Sequence, residues 1–279
     1  MNNTMIKLTD KQKISDVGKM IRRGHVKIYS RQTGNLLFEG LDQRVPDTEG
    51  DNKVIVPGSI IAARKFFRSL VPTVNTPSYN SALGLDGVMS LTNTEDIDAE
   101  ICLFCIGTDG CGTENSQVID VDYTKWIDPS SLVPFQYRPA SSDLTATQRK
   151  KFFGRKTLDN GYLAYYFKGF DTNPELHIQY LDGTSMDENL YTTENPYGGE
   201  VYVTMKMSVD AGECRDYFKA TTGINSARMN SISLCTAYPK TINGYTYYQS
   251  IRPVTKYNFS NKTLIDENDG FDIIYDLYF

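Results

Sequence analysis

Alternation of apolar and polar residues with a period of two is the dominant pattern along this chain, and it predicts β-strands. The clearest case runs from Val201 to Val209, where Val and Met alternate with Tyr, Thr, Lys and Ser. A second runs from Phe271 to Phe279 and places five large side chains on one face. Each strand is expected to bury one face. Further strands are predicted at 26–29, 36–39, 53–56, 162–167, 175–180, 231–237 and 245–251.

The segment Ile101–Ile106 differs from these strands because it is apolar at odd and even positions alike. A strand of this kind is covered on both faces, so we expect it at the centre of a sheet. The glycine-rich stretch Gly107–Gly112 follows and supplies residues that tolerate positive φ in a chain reversal. Apolar residues then alternate with polar ones from Ile119 to Thr124. The whole region therefore predicts a strand, a turn and a second strand with one solvated face.

Few helices are expected. Thr9 or Asp10 begins one that runs to Arg23, and an amphipathic pattern over 60–70 predicts a second. Asp210 and Glu213 have the spacing of an N-cap and its partner three residues on, in a short helix that ends at Gly223. The fold class predicted from these patterns is α+β but mainly β, with antiparallel sheets in a sandwich-like body and a few short helices.

Two long irregular segments, 71–95 and 128–143, interrupt the pattern with Pro, Gly, Asn and Ser. The second is the candidate boundary between an N-terminal α/β-hairpin region, 1–127, and a β-rich C-terminal region, 144–279, although a single domain is the alternative. Both irregular segments carry apolar residues, which predicts contacts with neighbouring proteins. The alternative is that they fold back over the protein's own core.

Composition narrows the classes of function. The chain has 279 residues, a net charge of −5 and 19 tyrosines. A mildly acidic protein gives no support for a nucleic-acid partner, whereas tyrosine is common in β-rich folds and at protein interfaces. No apolar run has the length of a membrane span or the form of a signal peptide, so we expect no membrane contact and synthesis in a reducing cytoplasm.

Three of the five cysteines, Cys102, Cys105 and Cys111, have a spacing that resembles three ligands of a zinc site. Residues three apart on a strand point to opposite faces, which separates Cys102 from Cys105. A fourth ligand with paired spacing is also missing. The sequence therefore predicts free thiols and no metal site.

No constellation of catalytic residues is recognisable. His25 and His177 are the two histidines, and neither belongs to a nucleophile motif. Asp120 and Asp122 share a face of a predicted strand, which suits calcium binding or glycoside hydrolysis but is also typical of a solvated face. The acidic run 266–270 is better explained as a tight turn than as a calcium loop. We predict no catalytic, cofactor or metal residues and a protein that is not an enzyme.

Residues 26–40 form a predicted hairpin, and residues 52–58, with the sequence Asn-Lys-Val-Ile-Val-Pro-Gly, lead from a strand to a helix. These two blocks near the N-terminus resemble virion structural proteins of tailed bacteriophages. The chain departs from the family pattern at Asn35, where Glu is usual, and in the stretch 41–51. Three later runs are similar to tail or baseplate proteins of large phages: 104–112, 132–137 and 153–156.

The resemblance implies a non-enzymatic virion component, in the tail or baseplate, that acts through protein–protein contacts. A head or neck decoration protein is the nearest alternative. Its partners would be other virion proteins, with copies of itself as a further option, and it would bind no small molecule. From a different class, a carbohydrate-binding or glycoside-hydrolysing β-sandwich would use tyrosines, Trp126 and paired acids around a groove. Aromatic residues covered by subunits favour the first class, and an open groove with clustered acids favours the second.

Overall fold

The computed structural model describes residues 23–39, 53–54, 58, 78–89, 98–112, 117–119, 121–122, 124–180, 185–186, 199–210, 212–264 and 270–278. The helices predicted for 9–23 and 60–70 lie outside these residues, except for Arg23, which begins a strand.

Strands account for most of the described residues, and the predicted fold class is confirmed: antiparallel sheets form a sandwich-like body. The strands are β1 (Arg23–Ser30), β2 (Leu36–Glu39), β3 (Lys53–Val54), β4 (Glu100–Gly107), β5 (Leu132–Val133), β6 (Gln136–Pro139), β7 (Phe152–Thr157), β8 (Tyr162–Gly169), β9 (Glu175–Tyr180), β10 (Ser185–Met186), β11 (Gly199–Val209), β12 (Ala227–Ile242), β13 (Tyr245–Pro253), β14 (Thr255–Leu264) and β15 (Phe271–Tyr278). The α-helices among the described residues are α1 (Tyr79–Leu83) and α2 (Arg215–Thr222), and 3-10 turns occur at Pro129–Ser131, Ala140–Ser142 and Gln148–Lys150.

The strands form two sheets. The six-stranded sheet has the order β10-β9-β11-β15-β1-β2. The nine-stranded sheet has the order β3-β14-β12-β4-β8-β6, with β13 on β12, β5 on β4 and β7 on β8. Each sheet contains strands from both sides of residues 128–143, and this interleaving favours the single-domain alternative.

The six-stranded sheet is built around β15, which pairs with β11 on one side and β1 on the other. The buried side chains of β15 are Phe271, Ile273, Tyr275 and Leu277. This face is the one predicted from the sequence, apart from Phe279, which lies outside the described residues. Met205, Met207 and Val209 on β11 extend the same apolar face, also as predicted.

The predicted central strand is confirmed as β4, which is buried on both faces. Phe104 and Ile106 belong to a cluster that contains residues of both sheets and that we call the central core. Leu103 and Cys105 belong to a second cluster on the opposite face, the outer core. Side chains of α1 and of the segment that contains Trp126 cover the outer core. The nine-stranded sheet is therefore the middle layer of the molecule.

The turn after β4 is glycine-rich for a reason other than the one predicted. Gly107 and Gly110 do not have positive φ. A Cβ on Gly110 would lie 2.0 Å from the carbonyl oxygen of Asn230, and one on Gly107 would lie 2.6 Å from a methyl group of Ile127. Close approach of β12 and its neighbours requires these glycines. The second strand predicted here is reduced, in the described residues, to a bridge between Cys111 and Val118.

The two predicted irregular segments pack in part against the protein's own core. Within 128–143, Leu132, Val133 and Phe135 are at most 2% exposed, and β5 and β6 pair with β4 and β8. Within 71–95, residues 79–83 form α1, and Tyr79 is fully buried. These buried residues favour folding back over the core, whereas Val88 and Met89 are 50% and 41% exposed and stay open to a partner.

Helix α2 ends at Gly223, as predicted, but begins later than predicted. Cys214 occupies the N-cap position in a left-handed conformation, φ 64°. The Asp210 N–H still donates to the Glu213 carboxylate at 3.2 Å, so the pairing expected for a helix start is formed in the preceding turn. Glu213 also has a second partner, which lies in the core.

That partner is Lys168 on β8, which is 1% exposed and joins the two sheets. Its Nζ lies 2.9 Å from Glu213 Oε1, donates to the Ser208 carbonyl of β11 at 2.7 Å, and lies 4.0 Å from the carboxylate of Asp210. The outer end of the network is a pair of Arg31 with Asp210. The ammonium group of Lys168 therefore has both hydrogen-bond acceptors and a counter-charge, as a buried charge requires.

Burial of Glu213 makes stability depend on pH. Desolvation raises the pKa of Glu213 from 4.5 to about 7, although the attraction of Lys168 acts in the opposite direction. A folded state that holds the proton more tightly gains stability below pH 4.5 and loses it as the pH rises to about 7.

We expect the unfolding free energy of the wild type, relative to a Glu213→Gln variant, to fall by up to about 3 kcal/mol between pH 4.5 and 7.5. Urea unfolding at these two pH values measures the difference. The glutamine does not titrate, and the other carboxylates are the same in both proteins. The difference between wild type and variant therefore reports the titration of Glu213 alone. A difference that stays constant with pH contradicts the expectation.

Candidate functional site

A cavity of about 390 Å³ lies between β7, the start of β13, the turn before β7 and the segment that follows α1. This volume is within the range of small-molecule sites. The lining combines aromatic, cationic and acidic groups, contributed by Asn80, Leu85, Asp86, Ala146, Arg149, Lys150, Phe152, Phe153, Gly154, Arg155, Tyr165, Gly244, Tyr245, Thr246, Tyr247 and Tyr248.

One wall of the cavity is the tip of the β12–β13 hairpin. Asn243 and Gly244 form its turn, with φ of 50° and 79°, which is the conformation that favours this residue pair in a two-residue hairpin. Tyrosines at positions 245, 247 and 248 follow directly. Tyr248 packs edge-on against Phe153 of β7, with 4.6 Å between ring centroids. The turn therefore carries a row of aromatic side chains over β7.

The opposite wall carries two arginines held by carboxylates. Arg149 Nη2 donates to Asp143 at 2.7 Å, and Arg155 Nε donates to Asp86 at 2.8 Å. Asp143 also accepts from the Tyr165 hydroxyl at 2.5 Å. Burial raises the pKa of Asp143, but the hydrogen bonds from Tyr165 and Leu144 and the two arginines outweigh it and hold the pKa below its usual value. Asp143 is therefore an ionised acceptor that holds Arg149 directly and lies 3.7 Å from Nη1 of Arg155.

The third wall is fastened to β13 by two amide side chains. Asn80 donates to the Tyr248 carbonyl at 3.1 Å and accepts from the Ile251 N–H at 2.5 Å. Gln249 donates to the Gly87 carbonyl at 2.9 Å and accepts from the Met89 N–H at 2.7 Å. Two of these hydrogen bonds thus hold α1 against β13 and two hold the segment after α1, so this wall of the cavity is fixed.

The cavity carries an excess of one positive charge. Arg149, Lys150 and Arg155 bring three cations to it, and Asp86 and Asp143 balance two of them. Lys150 is exposed and has no ion-pair partner among the residues that the structure describes. The guanidinium of Arg149 also covers the ring of Tyr245 at 4.6 Å from its centroid. These groups offer hydrogen-bond donors, a carboxylate acceptor and an aromatic surface to one ligand.

The residues singled out from the sequence lie elsewhere. His177 on β9 stacks on Tyr202, with ring centroids 4.8 Å apart. Trp126 stacks on Tyr79 over the outer core, with centroids 4.4 Å apart. Asp122 is exposed and accepts hydrogen bonds from Thr124. None of these groups reaches the cavity.

The sequence argument that separated the cysteines is wrong. Opposite β12, Leu103 pairs with Cys235 and Ile101 pairs with Thr236, so Cys102 is an extra residue in a β-bulge. The bulge turns Cys102 to the same face as Cys105, which lies 3.9 Å from Cys235 between the sulfur atoms. No group of three or more Cys, His, Asp or Glu side chains within the described residues is arranged to hold a metal. Free, metal-free thiols remain a prediction.

The cavity was missed because its walls come from four separate segments of the chain. One local signal was present: the turn pair Asn243-Gly244 is followed at once by a Tyr-Thr-Tyr-Tyr run. Aromatic residues at a hairpin tip, where little core is available, indicate a surface that is kept for contact.

Comparison with known proteins adds no identification. A scan against protein-family models, a search of curated proteins and a search of solved structures each found no match to this chain. In the described part of the chain, no helix combines the length and the apolar character needed to cross a membrane.

Proposed function

We propose that the protein is a non-enzymatic structural component of a tailed-phage virion, in the tail or baseplate, and that it acts through protein–protein contacts. A head or neck position is the alternative. The observation that carries the proposal is the β1–β2 hairpin. It combines the sequence block that resembles virion proteins with an exposed apolar surface.

The block that resembles virion proteins is a coherent structural unit. Its hairpin belongs to the six-stranded sheet, whereas the strand that contains Lys53 and Val54 pairs with β14 in the other sheet. Gly58 then approaches β14 so closely that a Cβ would lie 2.3 Å from the Val254 carbonyl oxygen. The hairpin, strand and glycine of the motif thus connect the two sheets, which supports a structural reason for their sequence pattern.

The hairpin also exposes apolar side chains. Leu36 and Leu37 on β2 are 45% and 38% exposed. Within the described strands, β2 is the last strand of its sheet. Adjacent exposed leucines at the edge of a sheet are typical of a surface that another chain covers.

Glycoside hydrolysis receives less support from the cavity. A hydrolytic site needs one carboxyl group with a raised pKa as the general acid. The pKa of Asp143 is lowered instead, and Asp86 is bonded to Arg155 and Thr157. Neither acid is arranged to give up a proton to a glycosidic oxygen.

Mass spectrometry of phage particles tests the proposal. Particles of the phage that encodes this chain, purified on a density gradient, are expected to contain the protein at a fixed copy number. In a complementation experiment, a Leu36→Asp/Leu37→Asp variant is expected to remain folded and soluble but to be absent from the particles, because charge prevents burial of the surface on a partner.

Ile224→Asp is the matched control, since Ile224 is 41% exposed on a different part of the molecule. This variant is expected to enter particles as the wild type does. Particles that lack the wild-type protein would disprove the virion assignment. Particles that accept the double variant would show that the hairpin is not the contact surface.

A further inference from the structure

The geometry points to the cavity beside the β12–β13 hairpin as a binding site for a saccharide that carries a carboxylate group. The site does not depend on a position in a virion, because all its walls belong to one chain. A carbohydrate-binding protein is the alternative class predicted from the sequence, and this cavity identifies the residues that would bind the sugar.

The cavity is preorganised. Its arginines are fixed by Asp143 and Asp86, and its third wall is fixed by Asn80 and Gln249. Side chains that are already held lose little conformational freedom when a ligand binds. Such fixed polar groups are what a site needs in order to select among hydroxyl positions on a sugar ring.

The mixture of donors and acceptors favours a polyhydroxylated ligand. Arg149 donates through Nε to the Leu144 carbonyl and through Nη2 to Asp143, and these hydrogen bonds leave Nη1 as a donor. The hydroxyls of Tyr245, Tyr247 and Thr246 can both donate and accept. Asp86 adds a carboxylate that accepts only. Sugar hydroxyls satisfy both kinds of group, whereas inorganic phosphate offers mainly acceptors and has no ring to pack on the aromatic wall.

The excess positive charge favours one negative group on that ligand. Lys150 is the lining cation without an ion-pair partner in the described residues. Asp86 and Asp143 already balance two of the three cations at the cavity. A carboxylate on the sugar would balance the third. The resulting pairs are worth most when the ligand closes the cavity to water.

Tyr245 provides the surface for the sugar ring. The residue is 44% exposed, although the guanidinium of Arg149 covers part of its ring. The C–H face of a sugar ring is apolar with a slight positive charge, and it packs on the electron-rich face of an aromatic ring. The part of the Tyr245 ring that Arg149 leaves uncovered is therefore the surface offered to the sugar.

Calorimetry and saturation-transfer NMR on the purified protein test the assignment. The probes are disaccharides that contain galacturonic, glucuronic or sialic acid, the neutral counterpart of each, and inorganic phosphate. We expect at least one acidic disaccharide to bind about tenfold more tightly than its neutral counterpart, a ratio that corresponds to about 1.4 kcal/mol. Phosphate is expected not to compete with it at equal concentration.

Two lining residues and one neighbour provide the variants. Tyr245→Ala and Lys150→Ala are each expected to weaken binding of the acidic disaccharide about tenfold, since anchors of this kind carry most of the affinity of a small site. Lys151→Ala is the matched control, because Lys151 is exposed and does not line the cavity. Circular dichroism confirms that each variant is folded.

Four results overturn the assignment: no binding of any saccharide, equal binding of acidic and neutral forms, effective competition by phosphate, and equal losses in the Lys151 and Lys150 variants. All are measured on isolated protein, so they leave the particle experiment unaffected. Absence of the protein from particles likewise leaves the saccharide measurements unaffected.

Discussion

Deletion of residues 271–279 is expected to yield protein that does not fold. β15 pairs along its whole length with both β11 and β1, so its loss splits the six-stranded sheet. It also removes four side chains that are at most 5% exposed. Each contributes about 1.5 to 3 kcal/mol on burial, and their sum is comparable to the roughly 5 to 15 kcal/mol that stabilises a domain. Expression trials with solubility and circular dichroism measure the effect.

Two adjacent isoleucines on β15 give a graded version of the same test. Ile273 is 1% exposed in the central core, and Ile274 is half-buried on the opposite face beside Lys27 and Lys206. Ile273→Ala is expected to lower the unfolding free energy by about 2 to 5 kcal/mol, and Ile274→Ala by about 1 kcal/mol or less. A soluble deletion variant with unchanged melting, or equal costs for the two alanines, would show that the strand packs differently.

Replacement of Lys168 by methionine is expected to destabilise the protein by about 3 to 5 kcal/mol at pH 8, where Glu213 is mostly ionised. The change leaves the Glu213 carboxylate buried without its cation, and it removes the donor to the Ser208 carbonyl. Urea unfolding of the single variant, compared with the wild type, measures the loss.

The double variant Lys168→Met/Glu213→Leu separates charge from packing. It removes both charges and fills the space with apolar atoms, so most of the lost stability is expected to return. Lys206→Met is the control, because Lys206 forms a half-exposed pair with Glu175 on the surface. Its cost is expected to be about 1 kcal/mol or less. A double variant as unstable as the single one would mean that the two charges are not coupled.

The elements that the sequence predicted correctly are those that local pattern determines. β4, β11 and β15 each contain enough consecutive residues to reveal which faces are buried. The C-terminus of α2 is fixed by Gly223, which adopts φ of 72°. In these cases the information lies within about ten residues, and the physical requirement acts on the same residues.

Other features depend on residues that are distant in the sequence. Gly110 is a glycine because of Asn230, and Cys102 bulges because β12 is the partner strand. The sequence places Lys168 at the polar end of a strand, and only its contact with Glu213 explains why it is buried. Local pattern contains no information on which distant segment becomes the neighbour, so these features could not be predicted.

Prolines led to the misreading of residues 128–143. Pro134 and Pro139 interrupt the strand pattern, which normally indicates a surface connection. Here they separate β5 from β6 and end β6, and each strand is only a few residues long. Short strands that are added to an existing sheet bury their side chains without a periodic signal.

The pairing of β1 with β15 also has a consequence for the order of events during synthesis. Val26 lies opposite Tyr275, so two strands from nearly opposite ends of the sequence must meet. Contacts at this separation form slowly because a very long loop must close first. Until β15 leaves the ribosome, β1 and β11 lack their common neighbour, and their apolar faces are open to other chains. Folding of the six-stranded sheet is therefore expected to be completed only after β15 has left the ribosome, and to depend on protection of the earlier strands by chaperones.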